Sequence, residues 1–170
     1  MKKVFFLSLF AIASACARQP ADAPAPKALS CEASENGSVT VEGAWLREQK
    51  DATAMSAGYF SVCNGTMAPV VLTGAATPAA SVVELHETTR DAAGVVSMAP
   101  AGDIELKPGE RVVFAPGGKH AMLMGLAGPI SSGDEFPFIL EFAGGAPVET
   151  IAVAKSNVEA AADADSHGGH

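Results

Sequence analysis

Positive charge is scarce in this 170-residue chain: 11 Lys and Arg stand against 19 Asp and Glu, for a formal net charge of −8. That deficit argues against a nucleic-acid partner, which needs a basic surface, and mildly favours metal ions or cationic partners. No apolar run reaches the roughly 20 residues that span a bilayer. No segment carries a useful length of helical periodicity, and no internal repeat is present. Ser-His-Asp, HExxH and glycine-rich phosphate signatures are missing, so the chain reads as a non-enzyme. Histidine is rare as well: His86, His120, His167 and His170 are all there are. The length suffices for one domain with a real core and not for two large ones.

The N-terminus has a processing signature. Lys2 and Lys3 precede an apolar run from Val4 to Ala13 broken only by Ser8, and Ala13-Ser14-Ala15 supplies small residues for cleavage. Residues 1–15 therefore read as a secretory signal peptide, and their removal takes Lys2 and Lys3 away and the net charge to −10. Cys16 follows directly. Ala13-Ser14-Ala15-Cys16 resembles a bacterial lipoprotein processing site, with Cys16 as the lipidated residue, although Ala13 stands where Leu is usual. Ordinary A-x-A cleavage is the competing reading.

Cysteine arithmetic favours lipidation. Three Cys are present, and an odd thiol in an oxidising compartment needs an explanation. A lipidated Cys16 leaves Cys31 and Cys63 free to pair, which would stabilise the domain by about 3 kcal/mol. The alternative is two separate thiols.

Residues 16–37 are rich in Ala, Pro, Ser and Glu and read as a lipid-anchored flexible linker. From 38 to 155 the texture is that of a β-domain. Short β-branched and aliphatic runs alternate with Gly, Pro and Asn. They predict strands at Val39–Leu46, Ala57–Cys63, Val70–Gly74, Ser81–Thr88, Gly94–Met98, Ile104–Leu106, Arg111–Phe114, His120–Leu126, Phe136–Phe142 and Val148–Ala154. Lys107-Pro108-Gly109-Glu110 has Pro and Gly at the two central positions of a β-turn. Ala115-Pro116-Gly117-Gly118 and Ser132-Gly133-Asp134 are further turn signals. Regular short strands of this kind make a β-sandwich or Greek-key barrel. Trp45 reads as a core aromatic, and Glu84 and Glu87 as solvated strand residues. Residues 156–170 read as a flexible tail.

Two of the four His lie in that tail, so the domain holds only His86 and His120. Each has a Met at an informative distance: Met98 follows His86, and Met122 follows His120 by two. Residues two apart in a strand share a face, so His120 and Met122 project together. Met124 shares that face, and spacing alone does not choose between Met122 and Met124. Two imidazoles with two thioethers select Cu(I), a soft cation. Zn(II) would favour thiolate, imidazole or carboxylate, and Mg(II) or Ca(II) oxygen. A lone Met is usually core filler, and Met55, Met67 and Met124 are read that way. Two His and two Met in one pattern weaken that plain reading for the array itself.

The spacing His86-x11-Met98-x21-His120-x-Met122 resembles the ligand signature of the PCuAC family of periplasmic copper chaperones. The surrounding text is similar too: Val83-Glu84-Leu85-His86, Leu106-Lys107-Pro108-Gly109, and Pro116-Gly117-Gly118-Lys119-His120-Ala121-Met122. The resemblance covers roughly Val39 to Val153. It implies a cupredoxin-like Greek-key β-sandwich that binds one Cu(I) through His86, Met98, His120 and Met122. It also implies delivery to a copper-accepting protein, with the dinuclear copper centre of a cytochrome oxidase subunit as the recipient. Family members often carry Met directly after the first His, where this chain has Glu87. Some carry a His- and Met-rich tail. Here His167 and His170 alone offer a second, weak site for Cu(II), against the plainer reading of solvated residues.

Two other function classes compete. Electron transfer at a blue-copper site needs a Cys thiolate, and Cys63 is the only candidate besides Cys31. A non-metal adhesion or scaffold module needs no ligand at all. The expected location is the periplasm, as a membrane-anchored lipoprotein.

Overall fold

The computed structural model describes residues 31–156. The signal-peptide reading of 1–15, Cys16, and the tail with His167 and His170 lie outside the described residues. Ten strands and no helix make up the described chain. They are β1 (Val39–Arg47), β2 (Ser56–Asn64), β3 (Val70–Ala76), β4 (Ala80–Arg90), β5 (Val96–Pro100), β6 (Ile104–Leu106), β7 (Arg111–Phe114), β8 (Lys119–Leu126), β9 (Glu135–Phe142) and β10 (Val148–Lys155).

The turns anticipated from Pro and Gly close as hydrogen-bonded β-turns. Glu110 N donates to Lys107 O at 2.9 Å, and Gly118 N to Ala115 O at 3.0 Å. Gly109 and Gly117 sit at φ 73° and 81°, a left-handed conformation that glycine adopts without steric cost.

Strand order along the sheet is β5-β4-β8-β2-β1-β10-β9-β3-β6, and β7 also pairs with β2. Only β1 and β10 run parallel among the ladders; the others are antiparallel. The outer edge of β2 is shared: residues 56–58 pair with β8, and residues 60–63 with β7. The sheet folds over on itself, because one core draws residues from nearly every strand. Leu46, Phe60, Val62, Leu72, Leu106, Phe114, Leu123, Phe138 and Leu140 are all buried in it. Phe60 stacks on Phe114 with centroids 4.2 Å apart and tilts against Phe138 at 5.5 Å. Burying each such side chain contributes about 1.5–3 kcal/mol.

β1 changes face partway along. Val39 and Val41 pack against the core. A bulge then shifts the register between Glu42 and Trp45, with Gly43 at φ 61°. An extra residue inverts the alternation, so Leu46 turns inward and is fully buried. Trp45 is therefore not a core aromatic. It is half-buried on the outer face, against Tyr59 at 4.3 Å.

Asn64 ends β2 inside the protein with every polar group paired. Its Nδ2 donates to Ala68 O at 2.8 Å and Leu106 O at 2.9 Å. Its Oδ1 accepts from Thr66 N at 3.0 Å and Thr66 Oγ1 at 2.7 Å. Beside it a disulfide joins Cys31 to Cys63, with Cα atoms 6.1 Å apart. Residues 31–37 belong to the stretch read as linker, yet they are fastened to the domain. Cys31 N donates to Gly109 O at 3.0 Å, and Ser34 N to Gly65 O at 2.9 Å.

Candidate metal centre

The β8–β4–β5 register places the sequence array on one sheet face. His86 is directly opposite His120, Glu84 opposite Met122, and Thr88 opposite Met98. Directly opposite residues share a face, and so do residues two apart. The inward face of the same strands carries Leu85, Ala121 and Leu123, all buried. His86, Met98, His120 and Met122 therefore share the outer face. The imidazole pair forms the middle row. Met98 lies one row toward β5, and Met122 one row the other way on β8. All four positions are on strands, not on loops.

Both imidazoles are 9% exposed, and their ring centroids are 6.0 Å apart. Each has one nitrogen committed to an acceptor. His86 Nε2 lies 3.0 Å from Glu84 Oε2. His120 Nδ1 lies 3.1 Å from Gly118 O. A carboxylate and a carbonyl only accept, so in the neutral rings those nitrogens carry the protons. The lone pairs are left on His86 Nδ1 and His120 Nε2. His86 Nδ1 is buried and has no hydrogen-bond partner. An unsatisfied buried polar atom is costly, and a metal ion would satisfy it. A carboxylate or carbonyl accepting from the nitrogen that does not ligate is the usual way a ligating His is oriented.

Glu84 and Glu87 are thus paired, not merely solvated. Glu87 faces the other side of β4 and meets Lys119 Nζ at 2.5 Å. The position where a second Met would follow the first His is occupied here by an ion pair pointing away from the array.

Beside His120 is an open depression of about 320 Å³, lined by Met98, His120, Met122, Met55, Tyr59 and Arg47 among others; His86 does not line it. Met55 was read as filler from the sequence; the structure brings it to the array. It immediately precedes β2, whose Ala57 lies opposite Met122. Only the β2–β8 pairing reveals the relation. Met124 lies opposite Val82, one row beyond Met122, and does not line the depression. Tyr59 has its phenol pKa raised by burial, partly offset by the nearby Arg47 guanidinium.

The donor set narrows the chemistry. Among the described residues, no group of three or more His, Cys, Asp or Glu is placed to hold a metal. The donors this face offers include thioether sulfur and imidazole, which suit a soft monovalent cation. Cys31 and Cys63 are consumed by their disulfide. The thiolate that a blue-copper site needs is therefore lacking among the described residues, and the electron-transfer reading loses its ligand.

Fold and site together define an all-β, cupredoxin-like domain of the PCuAC type. Two solved structures share it. A copper-bound PCuAC domain from PmoF2 is 25% identical, with 71% of this chain and 94% of that one covered and a TM-score of 0.58. The Cu(I) form of DR1885 from Deinococcus radiodurans is 30% identical, with 68% and 77% covered and a TM-score of 0.52. The chain belongs to the LpqE-like family: the family model described as "Putative lipoprotein LpqE-like" matches residues 39–154. A relative from Leifsonia xyli subsp. xyli (strain CTCB07), named "Putative lipoprotein Lxx21020", is 32% identical over 126 residues, 70% of this chain and 74% of that protein.

Proposed function

We propose that this protein is a copper carrier that holds one Cu(I) through His86 Nδ1, His120 Nε2 and the thioethers of Met98 and Met122. The observation that carries the reading is the buried, unpartnered His86 Nδ1 on the face that also presents His120, Met98 and Met122. Two similar solved domains are described as copper-bound and Cu(I)-bound, which supports the choice of metal.

The donors suit a carrier. Imidazole and thioether are neutral, so Cu(I) keeps its single positive charge and no thiolate grips it. Met98 is 51% exposed on the edge strand β5, where an incoming donor can replace it first. Release is ligand exchange: a bond from the acceptor to copper forms as a thioether bond breaks, with no change in oxidation state. The recipient we assign is the dinuclear copper centre of a cytochrome oxidase subunit. In the same reading, residues 1–15 are removed and a lipidated Cys16 anchors the chain in the periplasm. The segment beyond Cys16 tethers the domain, and His167 and His170 offer a secondary Cu(II) site.

The test is transfer. Cu(I)-loaded protein, residues 17–170, is mixed with an apo oxidase copper domain, and metallation is followed by the optical bands of the dinuclear centre after oxidation. Stoichiometric loss of copper from the carrier is expected. No metallation by the loaded protein, under conditions where a free Cu(I) complex metallates the domain, contradicts delivery.

A further inference from the structure

Met55 is absent from the His-Met-His-Met array, yet it lines the same depression as Met98, His120 and Met122. It stands across the opening from Met98. Along the four strands β5-β4-β8-β2, Met98 lies on the first and Met55 immediately precedes the last. Both are 51% exposed, whereas the two imidazoles between them are 9% exposed. The four-strand surface thus has a buried nitrogen pair flanked by two half-exposed thioethers, with Met122 on the central strand β8.

Local structure keeps Met55 there. Its carbonyl accepts from Gln49 Nε2 at 3.1 Å, and Gln49 is itself held by two backbone bonds with Ile130. The next residue, Ser56, is buried and donates through Oγ to Arg47 O at 2.6 Å. Ala57, the β2 residue facing Met122, is small and leaves the space between the Met side chains unfilled. A thioether half in water fills no core gap, which is the usual packing role of Met. Beside a soft cation, its sulfur has a use.

We propose that Met55 is an alternative thioether ligand that exchanges with Met98 on the bound Cu(I), so that copper can be held by Met122 and either outer sulfur. This rests on the Cu(I) site proposed above. The exchange is a ligand substitution: a Met55 S–Cu bond forms as the Met98 S–Cu bond breaks, with no redox change. It lets an acceptor take the place of one outer thioether while the other keeps hold of the ion.

The test is a double-mutant cycle in Cu(I) affinity, by competition with a chromophoric chelator, on wild type, M55A, M98A and M55A/M98A. Both residues are half exposed, so all four proteins are expected to fold, and circular dichroism checks it. Each single variant should lose a modest factor, and the double should lose about tenfold more than the product of the two. X-ray absorption should count two sulfurs on copper in M98A and one in the double. Additive losses, with one sulfur already in M98A, overturn the role of Met55 and leave the His-Met site standing. A wild type that does not bind Cu(I) overturns both.

Discussion

His86 and His120 face each other directly across the β4–β8 ladder, and their rings are fixed by acceptors on opposite nitrogens: His86 Nε2 against Glu84 Oε2, His120 Nδ1 against Gly118 O, which in the neutral rings sets the tautomers. The pair therefore presents one Nδ1 and one Nε2 lone pair from neighbouring strands, and the nitrogen left on His86 is buried with no partner.

Glu84 is the means of that fixation for His86. Its side chain is half exposed, so E84A should leave the fold intact. Losing the carboxylate frees the ring to take the other tautomer, and Cu(I) affinity should fall by about tenfold. Nitrogen-15 NMR of the apo protein should show His86 protonated on Nε2 in wild type and mixed in E84A. An unchanged affinity and tautomer would remove Glu84 from the site.

Much of this was legible in the sequence because strands write themselves with period two and Pro-Gly turns punctuate them. The expected strands Ile104–Leu106 and Arg111–Phe114 coincide with β6 and β7. The hairpin β4–β5 reaches further than expected, to Arg90 and Pro100. Asp91 Oδ1 accepts from Ala93 N and Val95 N, which places Gly94 in the turn and lets Arg90 pair with Val96. Trp45 reads as a core aromatic in the sequence, but the alternation that holds up to Glu42 is inverted by a one-residue bulge at Gly43. Met55 carries no signal in the sequence, because its relation to Met122 exists only through the pairing of β2 with β8. Distances between strands far apart in sequence are not written in local periodicity.

Asn64 is a structural keystone outside the metal face. N64A would leave the buried Leu106 carbonyl without its side-chain donor and Thr66 without its acceptor. Stability to urea should fall by about 2–3 kcal/mol. Copper affinity, measured where the variant is folded, should not change.

The disulfide closes a span of 32 residues in sequence. C31S/C63S should lose about 3 kcal/mol by the chain-entropy argument, read from denaturant midpoints. Cys63 lies at the β7-paired end of β2, whereas the depression lies at the β8-paired end. Cu(I) binding should therefore survive in the folded fraction. Loss of the metal site in a folded variant would show that the two ends of β2 are coupled.

Glu42 accepts from Arg111 across the sheet, and the guanidinium holds its carboxyl below the ordinary glutamate value, through a hydrogen bond and then through charge. A depressed folded pKa contributes stability above the unfolded value, and this is lost as pH falls through the folded one. The Glu42 carboxylate is largely exposed, so the contribution is small. In R111A the NMR titration midpoint of Glu42 should rise toward the ordinary glutamate value. A midpoint that does not move would mean Arg111 is not the cause.

The most direct test of the metal centre is a Cu(I) competition titration of residues 17–170, comparing wild type with M98A/M122A. One tightly bound Cu(I) per wild-type chain is expected, with an affinity lower by about a hundredfold in the double variant, since losing even a group that only orients a ligand costs about ten- to a hundredfold. Equal competition by the two proteins would contradict a site built on these thioethers.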